Sequence, residues 1–329
     1  MAKKENDKSF YEPHDLVYFK TKEDDERKAI DKYSFEKIDQ EDKIKLVNNY
    51  QPFGSHFQYS ILVENQSLAP ITELKIKVKI PYFLTLSRCY PPSVSIPPLN
   101  PNKDSNQITL ELDELNEKSN KQIHLHFMPN ALDRKGEIRT IVTYVNNKDT
   151  IRVLDSRPAE ITIDNISIEP KVVPSSFIRD FSQTPGIKKA IKSLGVAIDH
   201  QIDSEIFFNL LEQIFLLNNF QLVAKDVEKK ILWYFGTESI IKEDILAIGQ
   251  IISNKVEIIA SSFNHYLLVS FLTLLSNEFK EAILSKGIIK SKDQIFDLEC
   301  KYCGYILPYF PNQGNSIECS KCNTEQIVW

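Results

Sequence analysis

Near the C-terminus, four cysteines carry the one spacing in this chain that could do defined chemistry. Cys300-Lys-Tyr-Cys303 and Cys319-Ser-Lys-Cys322 are two Cys-x-x-Cys pairs separated by fifteen residues, a spacing at which paired thiolates close a tetrahedral zinc site. Gly304 follows the first pair and Asn323 the second. Both types tolerate the left-handed backbone that a tight turn around a metal demands. Between the pairs, residues 305–310 read as a strand, 311–315 as a turn and 316–318 as the return strand. The expectation is a zinc ribbon holding one structural Zn2+ on Cys300, Cys303, Cys319 and Cys322. Four thiolates leave no position for an activated water, so such a site stabilises a fold and hydrolyses nothing.

Other chemistry-bearing residues do not converge in the sequence. The six histidines (His14, His56, His124, His126, His200 and His265) are scattered with no motif around them. His124 and His126 sit two apart, opposite Ile123, Leu125 and Phe127, and are expected to face solvent. His265 opens an apolar helix and reads as a capped or core-edge residue. Glu243 and Asp244 begin a strand and read as solvated. Cys89 reads as a buried, inert thiol, with Arg88 the one electropositive neighbour visible. No G-x-G-x-x-G, Walker-type or G-x-S-x-G pattern occurs, which argues against a nucleotide site or a hydrolase elbow. No catalytic residue and no bound organic cofactor are expected; the chain reads as a non-enzyme.

The elements that must position these residues follow from periodicity. Residues 1–45 contain 13 acidic and 11 basic side chains, too little apolar surface to offset the entropy of ordering, so a charged arm is expected there. Two apolar knots interrupt it, Phe10-Tyr11 and Leu16-Val17-Tyr18-Phe19. From His56 the period becomes two: Leu74, Ile76, Val78 and Ile80 alternate with lysines, and the pattern returns in residues 108–112, 123–127, 138–145, 150–154 and 161–168. Prolines 91, 92, 97, 98 and 101 punctuate the joins. This predicts an Ig-like antiparallel β-sandwich over residues 46–168.

After Pro170 and Pro174 the period turns helical. Thr184 reads as an N-cap, Pro185 as the first helical residue, Ile187, Ala190, Ile191 and Leu194 as the stripe, and Gly195 as the stop. A second helix is expected over 204–219 and strands over 220–224, 230–236, 244–252 and 255–260. A final helix over 262–286 ends at Gly287. The order is that of an α-β-β-β-β-α platform over residues 169–287, an antiparallel sheet with helices on one face, and residues 288–297 read as a linker. The fold class is therefore α+β and multidomain: sandwich, platform, ribbon.

With 42% apolar residues and a net charge of −5, the chain can build cores and has no global attraction to nucleic acid or anionic lipid. Residues 258–277 are uncharged apart from His265 but contain seven Ser, Thr or Asn residues, the mark of a buried helix and not a membrane span. Five cysteines, four in metal spacing, fit a reducing compartment, and a cytoplasmic location is expected. In the ribbon, Lys301 and Lys321 face Glu299, Glu318 and Glu325. Tyr302, Tyr305, Tyr309, Phe310 and Trp329 could stack bases, but they read more simply as its miniature core.

Residues 58–81, QYSILVENQSLAPITELKIKVKIP, resemble the opening of β-sandwich domains in uncharacterised archaeal proteins, in which a second α/β domain follows as it does here after Ile168-Glu-Pro-Lys171. The order of sandwich and platform is similar to the appendage, or ear, regions of adaptin and coatomer subunits, with local likeness to the coatomer gamma platform in residues 187–195 and 244–261. A zinc ribbon is absent from the coat pattern, and Trp233 does not stand where a peptide-binding tryptophan would. The resemblance implies recruitment of protein partners, with grooves presented to short linear motifs. The rival reading is a nucleic-acid-associated factor that uses the ribbon.

Overall fold

The computed structural model describes residues 43–91, 105–198 and 204–329. The charged arm up to residue 42, with both its apolar knots, lies outside them, as do His14, His200 and prolines 92, 97, 98 and 101. The described residues form mostly antiparallel sheets, with three α-helices among them.

Nine strands come first: β1 (Ile44–Phe53), β2 (His56–Asn65), β3 (Ile71–Pro81), β4 (Leu84–Tyr90), β5 (Ser105–Leu115), β6 (Ser119–Pro129), β7 (Arg134–Val145), β8 (Ile151–Asp155) and β9 (Ala159–Ile163). One sheet runs β1-β2-β6-β4 and the other β5-β3-β7-β8, with β9 also on β7. Alternation does the work the sequence suggests. Phe57, Tyr59, Ile61 and Val63 of β2 and Ile123, Leu125 and Phe127 of β6 share one core with Leu74, Ile76, Val78 and Ile80 of β3 and Ile138 and Val142 of β7. Each strand commits one face to that core. At the β4–β6 pairing, the register slips between Leu86 and Arg88, so Arg88 leaves the expected alternation.

The second unit contains β10 (Ile168–Pro170), α1 (Ser175–Gln183), β11 (Lys188–Val196), α2 (Ser204–Leu217), β12 (Gln221–Asp226), β13 (Ile231–Glu238), β14 (Asp244–Ile252), β15 (Lys255–Ser262), α3 (His265–Ser285) and β16 (Ile295–Asp297). Its sheet runs β10-β13-β14-β15-β11-β16, with β12 on β13. The helix at residues 204–219, the final helix and the four strands between them fall close to their expected places.

Three expectations are corrected. Residues 188–196, read as the body of a helix, form strand β11; the helix is the preceding segment α1, and Thr184 closes it, donating its backbone N–H to Phe181. Helices do not keep to one face: α2 and α3 cover one side of the sheet, while α1 packs Phe177, Ile178 and Phe181 against Phe235 and Leu246 on the other. The stretch read as a linker supplies β16, which pairs Leu194–Val196 of β11 with Ile295–Asp297.

α3 is closed at both ends by local chemistry. The Asn264 side chain accepts from the N–H groups of Tyr266 and Leu267 at 3.0 and 3.3 Å, as an N-cap should. Gly287 takes φ +69°. Its N–H reaches Leu284 O, and that of Ile288 reaches Ile283 O, at 2.9 and 3.0 Å, the paired bonds of a Schellman stop. This helix also joins the units: most of its buried side chains belong to the second core, yet Val269 sits in the core of the first. No helix among the described residues is long and apolar enough to cross a membrane.

A four-cysteine candidate metal centre

Two backbone knuckles of the same shape set the cysteines. In the first, Gly304 N–H donates to Cys300 O at 2.8 Å and Cys300 N–H to Tyr305 O at 2.8 Å; in the second, Asn323 N–H donates to Cys319 O at 2.8 Å and Cys319 N–H to Thr324 O at 3.1 Å. Gly304 and Asn323 occupy the left-handed region at φ +70° and +55°, which is where the sequence places turn-tolerant residues. The short pair β17 (Ser316–Glu318) and β18 (Glu325–Ile327) presents the second knuckle. Residues 305–310 do not form the expected strand; a single bridge, Glu299 to Ile306, is their contact with the incoming chain.

The four sulfurs converge within 4.8 Å of one another. Cys300 and Cys322 are 3.6 Å apart, as are Cys303 and Cys319. A tetrahedron with metal–sulfur bonds of ~2.3 Å has edges of ~3.8 Å, so the donor set fits one zinc ion. Burial pushes the Cys303 thiol up to about 12, while hydrogen bonds from Thr324 draw Cys322 down to about 6. Zinc would be held by all four as thiolates and would displace the remaining protons on binding.

Around the cysteines the apolar core is small: Leu298, Leu307 and Ile317 with the buried sulfurs. The unit therefore leans on its neighbours. Leu298 N–H donates to Ser193 O of β11 at 2.9 Å. The buried Lys255 ammonium donates to Leu307 O at 2.8 Å while pairing with Glu257 at 2.6 Å. Phe310 lies flat on Gly195, where a Cβ would meet its ring at 2.3 Å. Gly195, read as a helix stop, is thus a close-packing position on a strand. Phe310 stacks in turn on Trp329, centroids 5.4 Å apart, and both approach Phe296 at 6.1 Å.

A buried polar group that the sequence did not bring together backs the first knuckle. Arg88 of β4 is 6% exposed; its guanidinium lies over Gly304, where a Cβ would meet Nη1 at 1.7 Å. It sits 3.4 Å from Glu299 and 3.1 Å from His126 Nδ1. His56 Nε2 approaches the same carboxylate at 3.5 Å, and Ser55 donates to it at 3.1 Å. Burial pushes Glu299 up to about 7 and His126 down to about 3, and it holds His56 well below its usual range. Both imidazoles are therefore neutral at pH 7. With zinc bound, four thiolates leave a net charge of −2, and Arg88 is the cation placed to balance part of it.

His126 thus corrects the solvent-facing expectation: its face of the sheet is covered. His124 is half-buried and bonded to Ser60 at 2.8 Å. His265 bonds to Gly54 O at 3.1 Å, a core-edge position as read. Cys89 is buried, its thiol on Pro91 O at 3.3 Å. Asp244 is paired with Lys171 at 2.7 Å, and Trp233 is half-buried in β13. The aromatics of the C-terminal unit divide: Phe310 and Trp329 pack inward, whereas Tyr302, Tyr305 and Tyr309 are exposed and do not fill the core. Gly304, behind the first knuckle, is the one local sign that a side chain packs there, and it does not name Arg88, whose partner Glu299 lies 211 residues away.

No family model matches this chain, and no curated protein matches it. Among solved structures, the sporulation control protein Spo0M of Bacillus subtilis is similar at 9% identity over 67% of this chain and 78% of that one, with a TM-score of 0.20. The major pilin subunit BcpA of Bacillus cereus shares 10% identity over 63% of this chain and 58% of its own, TM-score 0.26. A GH20 exo-β-N-acetylglucosaminidase from Vibrio harveyi shares 10% over 67% of this chain and 39% of its own, TM-score 0.25. The chain spans less than two thirds of the latter two. Likeness at these scores carries no argument about fold or activity.

Proposed function

We propose that this is a non-catalytic interaction protein of the reducing cytoplasm, in which an Ig-like sandwich and an appendage-like platform present docking surfaces and a structural zinc ribbon clamps the two. What carries the reading is the four-sulfur set: it leaves a bound zinc no open position, and the unit around it is wedged against both larger units. On this reading the metal fixes the relative orientation of two binding surfaces and takes no part in turnover.

The best-suited surface is the sheet edge at β8. Ile151 and Val153 are 72% and 62% exposed there, on a strand that ends its sheet. Such an edge accepts an extended segment by strand addition, with the two apolar side chains setting specificity. The test compares affinity capture by the wild type with capture by Ile151→Lys/Val153→Lys, both zinc-loaded. A reproducible protein partner lost from the variant supports the reading; no partner, or one indifferent to the edge, overturns it.

A second reading, a nucleic-acid-associated factor, is favoured by the exposed Tyr302, Tyr305 and Tyr309, with the Lys321 ammonium 5.8 Å from the Tyr305 ring. Such a face could stack unpaired bases. Retention of single-stranded RNA or DNA that weakens from low to moderate salt would favour it, and absence of retention removes it.

A further inference from the structure

Between the first sheet and the second unit, a cavity of about 230 Å³ opens beside Ser55; Lys192 of β11, Lys280 of α3 and Asp297 of β16 supply its charges. Its remaining walls include Thr85, Asn130, Thr273, Ser276 and Asn277. This is a polar chamber at the joint of a β-rich protein, and its hydrogen-bond accounts do not balance.

Lys192 is 7% exposed; its ammonium is 2.5 Å from Asp297 Oδ1 and 2.9 Å from Met128 Sδ. A thioether is a weak acceptor, so one strong partner serves three N–H donors. Lys280 has no hydrogen bond or ion pair among the described residues, although it is half-buried and its charge is felt by both Asp297 and Lys192. Thr273 and Ser276 spend their hydroxyl protons on the helix backbone, on Val269 O and Thr273 O at 2.8 and 3.1 Å, and keep acceptor lone pairs. Among the lining side chains two ammoniums face one carboxylate, and Glu299, the nearby carboxylate that also feels Lys192, is engaged by Arg88 and Ser55, so the lining carries one excess positive charge. A buried charge short of partners is costly and is normally matched.

We propose that this cavity binds a small oxyanion, a phosphate or carboxylate group, held between the Lys280 and Lys192 ammoniums. One negative charge neutralises the excess, and two or more oxygens use the idle N–H donors of both lysines. Consistent with a cation short of partners, burial lowers the Lys280 pKa from its ordinary value, Asp297 opposing the effect. Lys280 reaches the site from the helix that joins both cores, so occupancy would also stiffen the joint. This inference is independent of the interaction reading and concerns a different part of the surface.

The test uses the full zinc-loaded chain. Calorimetric titration and thermal unfolding are run with sodium phosphate and, separately, sodium succinate and acetate, against sodium chloride at matched ionic strength. Saturable binding by phosphate alone assigns a phosphate-type ligand; saturable binding by a carboxylate assigns that class instead. Either is expected to weaken at least tenfold in Lys280→Met, a change that removes a poorly solvated charge and so spares the fold. Lys242→Met, on an exposed lysine elsewhere, should leave binding unchanged. If none of the oxyanions exceeds chloride, or if Lys280→Met binds as tightly as the wild type, the proposal is wrong.

Discussion

Gly195→Ala is the most informative single change. The added methyl would stand 2.3, 2.7 and 2.8 Å from three atoms of the Phe310 ring, whereas carbon atoms settle at ~3.5–4.0 Å. The ring must withdraw by roughly 1 Å to relieve the overlap. It is not free to do so: Trp329 stacks on it at an interplanar angle of 13°, and Phe296 packs beside both rings with centroids 6.1 Å away. Overpacking of this kind costs about 1–3 kcal/mol, and disturbing the aromatic contacts adds about 0.5–1.5 kcal/mol. We expect a loss of about 2–4 kcal/mol, confined to docking of the cysteine unit, since Gly195 has no positive φ to lose. In a Phe310→Ala background the methyl has room, and the same change should cost under ~0.5 kcal/mol. Urea unfolding of the four zinc-loaded proteins, followed by tryptophan fluorescence, measures that coupling directly, because Trp329 is the reporter in the stack. Equal costs in both backgrounds would show that Phe310 is not what Gly195 accommodates.

Removal of the metal should act locally. Cys303→Ser is expected to take bound zinc from one equivalent per chain to none, by elemental analysis, and to expose residues 298–329 to protease while the two larger cores stay resistant; structural zinc is worth about 10–16 kcal/mol in small finger peptides, far more than three buried aliphatic side chains supply. A protease-resistant C-terminus in that variant would contradict a structural role for the metal. His126 sets an acid limit: with a folded pKa near 3 and an unfolded value near 6.5, its contribution is complete above pH 6.5 and is lost as pH falls towards 3, because the unfolded chain takes a proton the native site refuses. Between pH 6.5 and 5 that amounts to about 2 kcal/mol, and His126→Gln should flatten the pH dependence of urea unfolding by that amount at equal zinc loading. Parallel slopes would mean that His126 protonates freely in the folded protein.

Much of this architecture is written in short-range pattern. β3 announces itself because one of its faces meets solvent as Lys75, Lys77 and Lys79 while the other meets the core, and α3 because Asn264 and Gly287 punctuate its ends. The paired cysteines and the turn residues behind them are equally local, so spacing alone locates the candidate metal centre. Failures occur where a residue's surroundings come from elsewhere in the chain. β11 lies between β15 and β16 with side chains buried on both faces, so no alternation survives to mark it, and its apolar residues happen to fall at helical intervals.

The same reasoning explains the buried polar group behind the cysteines. Alternation along β6 correctly puts His126 on the face opposite Phe127, but period two cannot say whether that outer face meets water. It meets Arg88, displaced by the slip in β4, and Phe53, whose ring lies 5.3 Å from the imidazole. Arg88 in turn is aimed at Glu299, the residue that enters the first knuckle. In the sequence Arg88 is legible as the cation beside Cys89 and Glu299 as one of three acidic residues in the C-terminal segment, and nothing local links them. Only the folding of the C-terminal unit back onto the first sheet makes them partners. The buried charges are tolerated because Ser55 donates to Glu299 and His126 bonds Arg88, and removing Glu299 would strand Arg88 beside the candidate metal centre with no anion except the thiolates themselves.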